Sequence, residues 1–189
     1  MTLFRTVEPA VEPVSPVEAK AHLRIDHDSE DTLISGLIRA ARQEVEQETG
    51  LALIDQSWRL ALDRWPRDGL VLLRRAPVRQ ILSVTVFDGD GAASVLAPES
   101  YQLDAVSSPA RLHLDARPEP GLALNGIEID FTAGFGEAGT DVPDLLKRAI
   151  MILVAYWYEF RAAFGADSQP VSLPGEYRRL IAAWRRPRL

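Results

Sequence analysis

The longest uninterrupted apolar run of the chain lies at residues 149–158, and apolar side chains of this stretch point in nearly every direction around a helix. A helix that is apolar on all sides is covered by the rest of the molecule on most of them. Ten apolar residues are too few to span a bilayer, which takes roughly twenty. The pattern therefore predicts a buried core helix over residues 142–163, with Asp141 as its N-cap and Pro143 in its first turn.

A stripe of apolar residues at 3.6-residue spacing predicts a second, amphipathic helix over residues 29–49. Asp28 or Ser29 is expected to cap its start, and Gly50 to end it. Its charged residues are assigned to the faces opposite the stripe, where water solvates them. The stripe comprises Leu33, Ile34, Leu37, Ile38, Ala41 and Val45, and the charged positions are Arg39, Arg42, Glu44, Glu46 and Glu48.

The N-terminal part of the chain predicts an arm followed by a short helix. Residues 1–14 are expected to be extended and without a regular element, because proline removes a backbone donor and prolines recur there. Ser15, Pro16 and Glu18 then form a capping box, with a serine cap, a proline at the first helical position and a glutamate three residues after the cap. This pattern predicts a helix over residues 15–24.

Between the helices, the hydrophobic pattern changes to short segments that alternate between apolar and polar residues. Asp-Gly at residues 88–89 is a hairpin-turn signal, because these residues tolerate the positive φ that tight turns require. Prolines and glycines separate the segments at intervals typical of an antiparallel sheet. The predicted strands lie at residues 57–63, 70–73, 81–87, 101–105, 111–115 and 127–131.

Together these elements predict an α+β fold, with a helical core of three to four helices and an inserted antiparallel β-rich region. The arm occupies residues 1–14, and the main domain residues 15–164. The β-rich insertion covers residues 51–134. A loop and a C-terminal amphipathic basic helix fill residues 165–189.

Composition narrows the possible functions. The chain has 189 residues and no cysteine, which excludes disulfides, thiolate metal sites and a cysteine nucleophile. A formal net charge of −6 argues against binding nucleic acid over a broad surface. The first residues lack the apolar core of a signal peptide, so an intracellular origin is expected.

Two acidic segments were considered as cation sites. Residues 26–31 hold four acids, but the glycine and glutamate that a calcium loop needs at its sixth and twelfth positions are Asp31 and Leu37. A helix start is the favoured interpretation there, and an acid-dependent hydrolase is the alternative. The turn at residues 88–91 is likewise interpreted as a plain turn, with a cation site as the alternative.

Other signatures of chemistry are missing from the sequence. A Gly-x-Gly at residues 134–136 lacks the spacing of a phosphate loop and is interpreted as a tight turn. His22, His27 and His113 do not have zinc-ligand spacing, and no serine nucleophile motif occurs. No catalytic, cofactor-binding or metal-binding residue is assigned, and the chain is predicted to be a protein of assembly rather than an enzyme.

The C-terminal segment predicts a basic amphipathic helix. Such a helix packs on its own domain, docks on a partner, or lies on a membrane, and the first two interpretations are equally favoured. The residues assigned to a partner contact are Tyr177, Arg178, Arg179, Leu180, Ile181, Trp184, Arg185, Arg186 and Arg188.

The order and spacing of the motifs resemble the head–tail connector (adaptor) proteins of tailed bacteriophages and phage-derived gene transfer agents. The resemblance spans roughly residues 13–161 and is weaker at the C-terminal segment. It rests on the residues at 13–24, 28–34, 44–50, 73–78 with Ser83-Val84, Tyr101, 129–136 and 142–161.

The resemblance implies a structural virion protein without cofactors. Copies would form a ring, expected to be dodecameric, under a portal protein, and would extend the DNA channel without sequence-specific binding. The C-terminal segment would contact the portal, and a stopper or tail protein would lie below. The particle, made in the host cytoplasm, would be a phage or a gene transfer agent, and no membrane is involved. The alternative is a tail-completion or other assembly protein of the same particle.

Overall fold

The computed structural model describes residues 1–160 and 173–185. In these residues the predicted α+β class is confirmed, with antiparallel strands between helices. The strands are β1 (Thr2–Val7), β2 (Gln56–Leu62), β3 (Leu70–Leu73), β4 (Val78–Phe87), β5 (Ala93–Val95), β6 (Tyr101–Asp104), β7 (Ala110–Leu114) and β8 (Ile127–Ala133). The α-helices are α1 (Pro16–Leu23), α2 (Asp31–Thr49), α3 (Asp144–Phe160) and α4 (Gly175–Ile181), and single 3-10 turns lie at Pro98–Ser100, Gly139–Asp141 and Ala182–Trp184.

The chain forms two compact units, each built from two separate segments. The first unit consists of Met1–Ala10 and Asp55–Phe135, and the second of Val11–Ile54 and Gly136–Leu189. All eight described strands belong to the first unit and all four described α-helices to the second.

The first unit contains two antiparallel sheets. One has five strands in the order β1-β2-β8-β4-β5, and the other has three in the order β3-β7-β6. In β8 every second residue is buried, with Ile127, Ile129 and Phe131 at 0% exposure, as expected for a central strand with one face on the core. On the other face Arg59 of β2 bridges to Asp130 of β8, with Nε–Oδ1 at 2.7 Å.

In the second unit, α2 packs against α3. The buried residues recur every three or four positions, so each helix turns one face inward. Burying each large side chain contributes about 1.5–3 kcal/mol, which makes this pair of helices the main source of stability in the unit. The buried apolar residues are Ile34, Ile38, Ala41 and Val45 of α2 and Leu146, Ala149, Ile150, Leu153 and Val154 of α3.

The predicted capping box is present at the start of α1. The backbone N–H of Glu18 donates to the Ser15 hydroxyl at 3.2 Å, and the N–H of Ser15 donates to the Glu18 carboxylate at 2.7 Å. The bond from the Ser15 N–H, together with one from the Ser15 hydroxyl to the same carboxylate, lowers the pKa of the Glu18 carboxyl group. At the end of α2, Gly50 adopts a φ of 73°, as predicted for a left-handed C-cap.

Two strands, β1 and β5, were not predicted from the sequence. The prediction that the N-terminal arm has no regular element is wrong, because β1 pairs with β2 from Thr2 to Val7. The prolines of the arm follow this strand, which consists largely of strand-forming Thr, Phe and Val residues. The short strand β5 pairs with β4 directly after the predicted turn at residues 88–91.

The predicted caps of two helices are also corrected. Glu30 occupies the N-cap position of α2 without a side-chain bond, so neither Asp28 nor Ser29 caps it. The helix α3 begins at Asp144, and Asp141 instead accepts a hydrogen bond from the N–H of Ala138 at 3.0 Å. In both cases the predicted acid has another contact: Asp28 pairs with Lys20 of α1, and Asp141 closes the turn that precedes α3.

The apolar stripe of α2 is rotated relative to the prediction. Leu33 is 38% exposed, whereas Arg42 and Glu46, which were assigned to the solvated faces, are 1% and 4% exposed. A charged side chain is buried only when it is paired, and these two residues form an ion pair. Their further partners, Glu12 for Arg42 and the N–H of Leu53 for Glu46, come from segments outside the helix, which is why the sequence did not reveal the burial.

Candidate partner-binding surface

The C-terminal segment packs on its own unit through two side chains. Tyr177 and Ile181 of α4 are 0% exposed and lie one turn apart, and α4 contacts α3. The arginines between them, Arg178 and Arg179, are exposed on the other side of the helix. Because the two buried side chains seat the helix, the arginines are held in a fixed place.

The other residues assigned to the partner contact lie around this helix. Leu180 and Trp184 are half-buried. Arg185 forms an ion pair with Glu48 of α2. Arg186 and Arg188 lie outside the described residues.

The hydroxyl group of Tyr177 is buried and has no hydrogen-bond partner in the described part of the chain. Burial, followed by the charges of Glu44 and Glu48, raises the pKa of the Tyr177 hydroxyl, which Arg185 opposes. Burial and Glu48 also raise the pKa of the Glu44 carboxyl. The surroundings of the Tyr177 hydroxyl are therefore acidic, and Arg185 compensates part of this charge.

The acidic segment at residues 26–31 serves structural contacts. The ammonium group of Lys20 lies 2.5 Å from a carboxylate oxygen of Asp28 and 2.8 Å from one of Asp31. The lysine lowers the pKa of the Asp28 carboxyl. The hydroxyl of Tyr158 donates to Glu30. Over residues 1–160 and 173–185, no group of His, Asp or Glu side chains is arranged to hold a metal ion.

The two glycine-containing turns are structural as well. The Asp88 carboxylate accepts hydrogen bonds from the N–H groups of Asp90 and Ala92, each at 2.9 Å. A Cβ atom on Gly134 would lie 2.5 Å from the backbone nitrogen of Asp55, so only glycine fits this close approach. These contacts support the turn interpretation of both segments.

The first unit also carries an open surface cavity of about 460 Å³, lined by Arg64, Trp65, Arg117 and Glu119 among others. Arg117 donates from Nη1 to the carbonyl oxygens of Pro66 and Arg67, both at 3.2 Å. Trp65 donates to the carbonyl of Pro118 at 2.8 Å. Because Trp65 and Arg117 donate to the chain itself and the lining mixes arginines with acids, the cavity does not define a ligand class.

A feature that the sequence reasoning did not use is the pair of open edges of the five-stranded sheet. The end strands β1 and β5 each pair with a single strand among the described residues. Apolar residues near each edge could have indicated these edges in the sequence. They include Phe4, Val7 and Val95, which are 45%, 57% and 65% exposed. An unpaired strand edge is a surface for another strand.

Most of the side chains considered for chemistry form structural contacts, and the exposed features of the described residues include a seated basic helix and two sheet edges. This combination is typical of structural assembly proteins. No described helix is long and apolar enough to cross a membrane.

Comparisons with known proteins give the same class. The model of the phage gp6-like head-tail connector proteins matches residues 17–71. A chain from the virion of a native gene transfer agent (GTA) particle is 30% identical, with a TM-score of 0.81. The match covers 100% of this chain and 97% of that chain. No curated protein matches the sequence.

Two further solved structures cover the same shares of both chains. A chain from the neck of an empty GTA particle, computed with C6 symmetry, is 28% identical with a TM-score of 0.84. A chain from the neck of a native GTA particle, computed with C12 symmetry, is 29% identical with a TM-score of 0.76. The chain described here belongs to the phage gp6-like head–tail connector family. Its role is that of a structural connector.

Proposed function

We propose that copies of the chain form a closed ring between the portal and the tail of a phage or gene transfer agent particle. The observation that carries this proposal is the full-length similarity to chains in GTA necks computed with C6 and C12 symmetry. Cyclic symmetry requires two different surfaces of each copy to meet. Twelve copies would match the C12 neck, and the ring would continue the DNA channel.

The ring works without catalysis. The family is one of structural connectors, and most of the acids considered for chemistry, namely Asp28, Glu30, Asp31 and Asp88, form structural contacts. A stopper or tail protein is the partner expected below the ring. The net charge of −6 suits a channel through which DNA moves, because an acidic wall does not bind the phosphate backbone.

The portal contact is assigned to the C-terminal segment. Tyr177 and Ile181 are occupied by packing within their own unit, so the contact is carried by the exposed Arg178 and Arg179 with Leu180 and Trp184 at their side. Arginine and tryptophan are enriched among residues that dominate interface energies. The portal surface that fits them is acidic with an apolar patch.

The experiment mixes the purified chain with the portal of its particle and measures the mass of the complex by light scattering. The wild-type chain should form a ring-sized complex with the portal. The double charge reversal Arg178→Glu with Arg179→Glu should abolish the complex, because the helix stays seated while its exposed charge changes sign.

The matched control is Arg64→Glu with Arg67→Glu, which changes the net charge equally at two exposed positions of the other unit. This variant should bind the portal as the wild type does. Loss of binding in both variants would show a general charge effect and reject the assigned surface. A wild-type chain that binds tail proteins and never the portal would instead favour a tail-completion protein.

A further inference from the structure

The five-stranded sheet of the first unit ends in two edges without proline or lysine, although β5 is short and β1 has a register shift between Arg5 and Val7. Natural edges carry prolines, lysines or inward-pointing charges. The strand β5 contains only Ala93, Ser94 and Val95, and all three are exposed. The strand β1 contains no proline, and its single charge, Arg5, is directed to Gln56 at 3.1 Å and to Glu8.

The chemistry of these edges defines what binds them. A strand edge presents backbone N–H and C=O groups, which are satisfied by another extended strand. Next to these groups, Phe4 is 45% and Val95 65% exposed, so each edge also offers an apolar side chain for cross-strand packing. The occupant is therefore a strand with an apolar face.

We infer that the outer edge of β1 in one copy pairs with the outer edge of β5 in the next copy, so that the five-stranded sheets join around the ring. This inference rests on the proposed ring. A closed ring uses a different surface on each side of the subunit, and β1 and β5 are the two unlike ends of one sheet. Closure removes both open edges at once.

The direction of the joint follows from the strand order. All pairings in the sheet are antiparallel, and a sheet of five strands therefore ends in two strands that run the same way. Rotation about the ring axis preserves this direction, so β1 meets the neighbouring β5 in parallel. A two-fold dimer would differ, because it would pair β1 with β1 of the partner in antiparallel fashion.

The size of such a ring is compatible with a channel. Neighbouring strands lie about 4.8 Å apart, so five strands span about 24 Å and twelve copies close into a ring about 90 Å across. A ring of this width surrounds a DNA duplex.

Because the chain contains no cysteine, introduced cysteines report on the joint directly. The double variants Thr6→Cys with Ala93→Cys, and Thr2→Cys with Ala93→Cys, cover two registers at exposed positions. The strand register places Thr2 and Ala93 on the same face of the sheet. Each is assembled with the portal and oxidised. At least one pair should give a ladder of disulfide-linked oligomers on a non-reducing gel.

Two controls separate the ring joint from other contacts. Thr6→Cys alone should stay monomeric on the gel, and disulfide-linked dimers from it would overturn the inference in favour of a two-fold pairing. Gln43→Cys with Ala93→Cys, which combines the exposed edge with an exposed position of α2, should give no ladder.

A second test uses charge at the edges instead of cysteine. Phe4→Lys or Val95→Lys should each abolish the ring-sized species while the circular dichroism spectrum is unchanged. The matched control is Leu82→Lys, which changes a residue 48% exposed on the internal strand β4 and should leave the ring intact.

The outcomes distinguish this inference from the proposed function. A portal-bound ring that forms with Phe4→Lys and Val95→Lys, and that gives no ladder with either cysteine pair, would overturn the edge joint and leave the connector ring in place. A wild-type chain that forms no ring with the portal would overturn both.

Discussion

Arg42 and Glu46 lie one turn apart on α2 and form an ion pair in the interior, with Nη1 and Oε2 2.8 Å apart. The Nε atom of Arg42 also donates to Glu12 at 2.7 Å, and the second oxygen of Glu46 accepts from the N–H of Leu53 at 2.9 Å. Burial opposes the charge of the guanidinium, but the two glutamates outweigh it and raise the pKa of Arg42. The pair thus fixes two connecting segments to α2.

Replacing Arg42 by alanine should therefore lower the free energy of unfolding by about 3–5 kcal/mol, because it leaves the buried carboxylate of Glu46 without its cation. Urea denaturation followed by circular dichroism measures this change. The control is Arg39→Ala, whose side chain is 68% exposed and 3.9 Å from Glu12, and which should cost at most about 1 kcal/mol. Equal effects of the two substitutions would contradict a special role for the buried pair.

Replacing either of two glycines by alanine should change the stability of the chain, but in opposite directions. Gly36 lies on the exposed face of α2 with no atom within 4 Å of an added Cβ, so Gly36→Ala should stabilise the chain by about 0.5–1 kcal/mol through helix propensity. Gly134→Ala should destabilise it by about 1–3 kcal/mol, because the methyl group would meet the backbone of Asp55. Thermal unfolding of both variants checks the signs, and a stabilising Gly134→Ala would refute the close approach.

Alanine substitutions at two serines compare the helix cap that forms, at Ser15, with the predicted cap that does not form, at Ser29. Ser15→Ala should cost about 1 kcal/mol, because the hydroxyl accepts from the N–H of Glu18. Ser29→Ala should stay within about 0.5 kcal/mol, since its hydroxyl contacts only the exposed ring of His27 among the described residues. Chemical denaturation of the two variants side by side gives the comparison.

Tyr177 predicts a dependence of stability on alkaline pH. Its pKa in the folded chain is raised above the ordinary value of 10.0, so above that pH the unfolded chain loses a proton that the folded chain keeps. Stability should then fall as pH rises from about 10, by up to about 1.4 kcal/mol per pH unit. In Tyr177→Phe this component should be absent.

At neutral pH, Tyr177→Phe should be as stable as the wild type or more so, because the hydroxyl it removes is buried without a partner. Tyr177→Ala should cost about 3–5 kcal/mol through the cavity it leaves. Unfolding curves at pH 7 and above pH 10 test all three statements. A loss of stability in the phenylalanine variant at pH 7 would show that the hydroxyl has a partner.

The elements that the sequence predicted well are those with a local signal. The strand at Leu70–Leu73, the capping box at Ser15 and the left-handed Gly50 are set by neighbours in the chain. The edge strand β1 was missed because its partner β2 lies more than fifty residues away. The burial of Arg42 was missed for the same reason, since Glu12 comes from a distant segment.

The candidate surface was only partly accessible to sequence reasoning. Helical spacing placed Tyr177 and Ile181 on one face, but an apolar face has the same pattern whether it packs on its own unit or on a partner. The structure buries both side chains in the chain itself. Arg178 and Arg179 remain exposed. The prediction included them in a larger set of basic residues and did not single them out.

The strand β8 lies at the centre of its sheet, between β2 and β4, although it is the last of the described strands to be synthesised. A nascent chain that stops before residue 127 lacks the middle of the sheet, and one that stops before residue 144 also lacks α3. Early termination products therefore lack the core of one unit or of both, and the apolar surface they expose makes them prone to proteolysis and aggregation. Because of this, neither unit is complete until translation has passed β8, and the second also requires α3.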